Sequence, residues 1–289
     1  MPDAISPAPV ASLVERAAER LRRGRTAGEP GAGAGPNPVA AEPPRPAVAA
    51  AALRPPVPLD FDRLQAAGFL TPDAPLGPLA EELRLIKRHL LKDAFPGERG
   101  NLILVTSALA GEGKTTLALN LAFSLAAERD LHVLLVDGDS RRRGLGSHLG
   151  VANRPGLMDL LAGGGVTPPD VLLRCSVANL AILPAGPHTP LGPELLASKQ
   201  AGATLREIGR RYPDRVIVID SAPLLASSDA AILSAHVGQV VMVVEKDRTT
   251  RRALDLALKR LGPGPSVKCV LNMAVPATGR SPERHPDHR

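Results

Sequence analysis

Short, unbroken aliphatic runs recur along the second half of the chain, at residues 101–107, 132–137, 179–183, 215–220, 238–244 and 267–272. Such runs carry no polar alternation, which is the pattern of parallel strands buried on both faces. Between them lie stretches with apolar residues at three- and four-residue spacing, and these predict helices at 114–128, 156–162, 193–211, 227–236 and 250–261. Strand and helix in regular alternation define a doubly wound α/β domain with a mostly parallel sheet, whose ligands sit at the carboxyl ends of the strands. Ahead of this, Leu79 to Leu91 predicts another helix, with Leu79, Leu83, Ile86 and Leu90 as its apolar stripe and Glu81, Arg84, Lys87 and Arg88 projecting from other faces.

The pattern fades at both ends. Residues 1–58 are rich in Pro, Ala and Gly, with Gly-Ala-Gly-Ala-Gly at 31–35, and read as a disordered tail in which Ser12 to Arg23 forms a short amphipathic helix. Residues 274–289 return to Pro, Arg and His and read as a second tail, leaving 59–273 as the folded domain.

Composition narrows the picture slightly. Aromatic residues are 2% of 289, so the core is built from Leu, Val, Ile and Ala. Cys175 and Cys269 have no metal-type spacing and are expected to be reduced, buried thiols of a cytosolic protein. No apolar run reaches the roughly 20 residues that span a bilayer. The net charge of +6 is not organised into basic residues interleaved with aromatics, so no nucleic-acid partner is expected.

The chemistry concentrates where a strand meets a helix. Residues 102–116 read L-I-L-V-T-S-A-L-A-G-E-G-K-T-T, a strand, a small-residue loop and a helix start. This is the context in which a Gly-Lys-Thr string becomes a phosphate-binding P-loop, here for ATP or GTP, although Ala108 replaces its usual first glycine. Ala110, Gly111, Glu112, Gly113, Lys114, Thr115 and Thr116 are the expected nucleotide contacts, Lys114 bridging the β- and γ-phosphates and the Thr115 hydroxyl ligating Mg²⁺. Two further strands end in carboxylates, V-L-L-V-D-G-D-S-R at 133–141 and V-I-V-I-D-S-A-P at 216–223. Mg²⁺ is usually held by one or two carboxylates together with substrate phosphates, a role that suits Asp137 and Asp220. Asp139, a second carboxylate near the γ-phosphate, is the candidate to accept a proton from an attacking hydroxyl.

These motifs together resemble the bacterial tyrosine kinases, the P-loop kinases of capsule and exopolysaccharide synthesis. The likeness rests on Gly111 to Thr116 as Walker A, Leu134 to Arg141 as the second motif of form hydrophobic₃-D-x-D-x-R, and Ile217 to Pro223 as Walker B. It covers about Leu59 to Asn272 and is strongest to the exosortase-associated exopolysaccharide autokinase subgroup. The resemblance implies ATP and Mg²⁺ as cofactors, catalytic roles for Lys114, Asp137 and Asp139, and an adenine contact from Asn272. It further implies a ring-shaped homo-oligomer built through an E-x-x-R-x-x-R helix, matched by Glu81, Arg84 and Lys87. Its activator would be a membrane chain-length protein, a polysaccharide co-polymerase, which would hold a cytoplasmic chain at the inner membrane. The chain departs from the family in lacking the terminal tyrosine cluster: Tyr212 is its single tyrosine. Two other readings share the architecture. One is a positioning ATPase of the chromosome-partitioning or division-site type, against which Leu109 stands where those ATPases carry a signature lysine. The other is a nucleotide-dependent interaction switch without phosphoryl transfer.

Overall fold

A computed structural model of the protein describes residues 55–72, 77–95, 99–141, 144–211 and 214–274. The two tail expectations, apart from residues 55–58 and Ala274, and the position of Tyr212 lie outside these residues. The described residues build a seven-stranded sheet flanked by helices. Its strands are β1 (Leu102–Ser107), β2 (His132–Asp137), β3 (Leu173–Arg174), β4 (Leu180–Leu183), β5 (Arg215–Asp220), β6 (Gln239–Glu245) and β7 (Ser266–Asn272), in the order β3-β4-β2-β5-β1-β6-β7. All pairs are parallel except β3 with β4. The central strands are covered on both faces, as their unbroken aliphatic runs require, and β1 is buried at every position.

The helices are α1 (Phe61–Ala66), α2 (Pro78–Ala94), α3 (Lys114–Ala126), α4 (Gly144–His148), α5 (Leu157–Ala162), α6 (Pro168–Val171), α7 (Gly192–Leu196), α8 (Lys199–Arg211), α9 (Asp229–Ser234) and α10 (Arg251–Arg260). On one face of the sheet α3 supplies Leu119, Leu121 and Leu125 to a core with Ile103, Val105, Val133 and Val218. On the other, α5, α7 and α8 close over Leu104, Leu134, Ile217 and Ile219.

Four local expectations need correction. The predicted helix 193–211 is two helices, because Ser198 interrupts it: its hydroxyl donates to Leu195 O (2.6 Å) and accepts from Ala201 N–H (3.2 Å), capping α8. The buried stripe of α2 is Leu83, Lys87, Leu90 and Ala94, with Ile86 partly buried against the same core as expected, and Leu79 is exposed. Lys87 therefore does not project: it is 7% exposed, donates to Ser124 O (2.9 Å) and pairs with Glu128 (2.6 Å) at the end of α3. Finally, β7 is an edge strand with exposed Val267 and Leu271, so Cys269 is exposed and only Cys175 is buried. Periodicity reports which way side chains point and not whether a neighbouring element covers them. At the opposite edge, Val57 N–H donates to Arg174 O (2.8 Å) and Val57 O accepts from Ser176 N–H (3.1 Å), placing Val57 beside β3.

Candidate nucleotide and phosphoryl-transfer site

Strand β1 delivers the chain into the loop 108–113, and α3 begins at Lys114. Gly111 and Gly113 have φ of +87° and +90°, a region closed to most residues with a Cβ, and this lets the loop turn its N–H groups inward ahead of the helix. The amino end of α3 adds a favourable field for anions at the same point. Lys114 Nζ lies 3.2 Å from Thr115 Oγ1, 3.9 Å from Asp139 Oδ2 and 4.0 Å from Asp220 Oδ1. Three of the expected residues thus converge on the ammonium group of a fourth, Lys114.

Parallel pairing sets the carboxylates. Asp137 and Asp220 are register partners at the ends of β2 and β5, and Gly138 N–H donates to Asp220 O (2.8 Å). Asp137 accepts from Gly146 N–H (3.2 Å) and Asp139 N–H (3.3 Å), while Asp139 accepts from Arg141 N–H (3.2 Å). Burial pushes the Asp137 carboxyl up to about 8, reinforced by the Asp220 charge. Burial likewise raises Asp220 to about 6, with Lys114 and the Thr115 hydroxyl pulling it back. Asp220 Oδ1 is buried without a hydrogen-bond partner.

An orphaned carboxylate oxygen beside a hydroxyl and a second raised carboxyl is the donor set a small hard cation takes, and Thr115, Asp137 and Asp220 are the residues that would hold Mg²⁺. Among the described residues no three acidic, His or Cys side chains form a complete metal cage. A cation held here would draw its remaining oxygens from phosphate and water, as Mg²⁺ ordinarily does.

The remaining expected contacts surround the loop in a different way. Glu112 is fully buried, and its carboxylate accepts from Leu109 N–H (2.8 Å) and from the Thr249 hydroxyl, so its side chain braces the loop from behind. Asn272, at the end of β7, donates to Glu112 O (2.9 Å). Arg248 donates to Ala110 O (2.9 Å) and to Glu245 (2.7 Å). Thr116 is exposed on the first turn of α3. Arg248 and Thr249 were missed in the sequence, although their place just after β6, at the carboxyl end of a strand, is where such residues are expected. Ser140 and Asp229, joined by a 2.6 Å hydrogen bond from the serine hydroxyl, were missed as well.

The fold and this loop define a P-loop nucleotide-binding α/β protein. The family profile described as the CobQ/CobB/MinD/ParA nucleotide binding domain matches residues 103–233. The kinase domain of VpsO is 30% identical with a TM-score of 0.54, covering 68% of this chain and 98% of that domain. The kinase domain of the Escherichia coli tyrosine kinase ETK is 27% identical with a TM-score of 0.57, covering 70% of this chain and 80% of the other. The tyrosine-protein kinase wzc of Salmonella typhi is 32% identical over 173 residues, which is 60% of this chain. The chain belongs to the bacterial tyrosine-kinase family of P-loop domains. It spans about 24% of the length of the first curated relatives it matches. Among the described residues no helix is long and apolar enough to cross a membrane.

Proposed function

We propose that the chain is an ATP- and Mg²⁺-dependent protein-tyrosine kinase-like enzyme that regulates exopolysaccharide or capsule assembly. The observation that carries this reading is Lys114 Nζ held 3.9 Å from Asp139 and 4.0 Å from Asp220. One ammonium facing two carboxylates is arranged to exchange a carboxylate for phosphate oxygens when nucleotide arrives, which releases Asp139 towards an incoming hydroxyl. In this assignment the loop amides of 110–116 and Lys114 hold the phosphates, and Asn272 lies at the adenine side. Asp137, Asp220 and Thr115 hold Mg²⁺, which neutralises phosphate charge when bound. Asp139 takes the proton from the tyrosine oxygen as that oxygen forms its bond to the γ-phosphorus and the bond to the β-phosphate oxygen breaks.

With one tyrosine in the chain, the acceptor is assigned to a partner, and the membrane chain-length protein proposed as activator is the first candidate. A ring of copies is proposed through Glu81 and Arg84, which pair on the exposed side of α2; Lys87 is withdrawn from that surface because it is committed to α3. A cytoplasmic location at the inner membrane follows from the same partner. The test is incubation of the purified chain with γ-labelled ATP and Mg²⁺, with and without that protein. Label on tyrosine of either chain is the expected result, and label released only as free phosphate removes the kinase assignment in favour of an ATP-driven switch. Leu109 in place of a signature lysine weighs against a positioning ATPase.

A further inference from the structure

Asp229 is fully buried, yet it touches neither the P-loop nor the Mg²⁺ carboxylates in any contact described above. Its two oxygens are occupied by two serine hydroxyls: Ser140 donates to Oδ2 (2.6 Å) and Ser227 donates to Oδ1 (2.6 Å). Ser227 also accepts from Asp229 N–H (3.2 Å), which fixes the carboxylate at the start of α9. The two serines come from different loops. Ser140 directly follows Asp139, in the turn after β2, and Ser227 closes the segment that begins at Asp220, after β5.

Ser140 is held from the other side as well. A Cβ on Gly192, at the start of α7, would stand 2.6 Å from Ser140 Cβ and 2.9 Å from its Oγ, so only glycine lets α7 close over it. A buried carboxylate is costly unless its oxygens are satisfied, and two short hydroxyl bonds with a helix amino end satisfy these. The same bonds permit very little displacement of the Asp139 turn relative to the Asp220 turn.

Resting on the assignment of Asp139 above, we infer that Asp229 is a positioning residue for phosphoryl transfer, acting through Ser140 to hold Asp139 at the phosphate end of Lys114. It touches no reacting atom. Its removal lets the 137–141 turn drift, and displacements near 1 Å cost on the order of 10²-fold in rate while leaving ground-state binding unchanged.

The test uses the full chain carrying Ser140→Ala, Ser227→Ala, Asp229→Asn and the Ser140→Ala/Asp229→Asn pair. Two readouts are compared: affinity for ADP with Mg²⁺, and affinity for ADP with Mg²⁺ and aluminium fluoride, a mimic of the transferring phosphoryl group. Expected is ADP affinity within about twofold of wild type, with the fluoride complex weakened about 10- to 100-fold in Ser140→Ala and Asp229→Asn. The double variant should be no worse than the poorer single variant, since both cut one link. Where turnover is measurable, kcat should fall by the same factor with KM for ATP unchanged. Should Asp229→Asn fail to fold, Ser140→Ala, a loop change, carries the comparison. Equal losses in ADP and fluoride-complex affinity, or multiplicative losses in the double variant, overturn the inference. If wild type hydrolyses ATP without labelling tyrosine, the kinase assignment falls and the ADP-to-fluoride ratio still decides this one; a wild type that binds both complexes equally overturns both.

Discussion

Replacing Asp137 by asparagine removes one of two facing buried carboxylates and keeps its shape, with one oxygen left to accept from either the Gly146 or the Asp139 N–H group. Asp137 is pushed up to about 8 from an ordinary 3.8. Because the folded protein holds this proton more tightly than the unfolded chain, the stabilisation it gives is complete below about pH 4 and is lost as pH rises through about 8. A gap of roughly four units at about 1.4 kcal/mol each sets a ceiling near 6 kcal/mol. Relaxation and water entry around a real buried charge bring this to about 2–3 kcal/mol, or about 5–10 °C in Tm for a domain of this size. In the absence of metal and nucleotide, Asp137→Asn should therefore melt within about 1 kcal/mol of wild type at pH 5.5 and several degrees above it at pH 8.5. Adding Mg²⁺ and ATP at pH 8.5 should reverse the order, since the variant lacks a carboxylate proposed to hold the metal. The assay is thermal unfolding across pH, with and without Mg²⁺ and ATP. A difference between the two proteins that stays flat from pH 5.5 to 8.5 refutes the reasoning, because it means Asp137 is not the group whose ionisation strains the fold.

Other changes separate the working parts. Lys114→Met should abolish detectable ATP binding in equilibrium titration while leaving the far-ultraviolet circular dichroism unchanged. Lys87→Met should lower stability by about 1–3 kcal/mol in urea unfolding, because Ser124 O loses its donor, without altering sedimentation of any ring assembled through Glu81 and Arg84. Glu112→Ala leaves Leu109 N–H and the Thr249 hydroxyl without their acceptor, and should weaken ATP binding about tenfold by titration although the side chain faces away from the phosphates. A maleimide should label Cys269 at least about a hundred times faster than Cys175 in the native protein, and equal rates would place Cys175 at the surface.

Much of this was legible in the sequence for a physical reason. Parallel strands buried on both faces leave unbroken aliphatic runs, and a phosphate loop needs glycines followed by Lys-Thr, so β1, β2, β5, the loop and Asp137, Asp139 and Asp220 all leave local marks. What stayed hidden depends on how elements meet in space. The exposure of Cys269 follows from β7 having a neighbour on one side only. The burial of Lys87 follows from α3 lying beneath it, and its long stem continues an apolar stripe that a charge-based reading breaks. Asp229, Ser140 and Ser227 are distant in sequence or ordinary in type, and their link exists only because β2 and β5 are adjacent. Likewise, Thr249 and Glu112 stand 137 residues apart and meet at the loop only because β6 lies beside β1.

The three braces on the loop, from Thr249, Arg248 and Asn272, have a thermodynamic meaning. They hold the phosphate cradle in shape when it is empty, so an arriving nucleotide spends little of its binding energy on ordering backbone. Wearing away any brace would then register as weaker affinity and slower capture in a protein whose every phosphate contact is intact. Variation along residues 245–249 would tune how long the site stays loaded at a given ATP concentration while the chemistry proposed for Lys114, Asp139 and Asp220 remains the same.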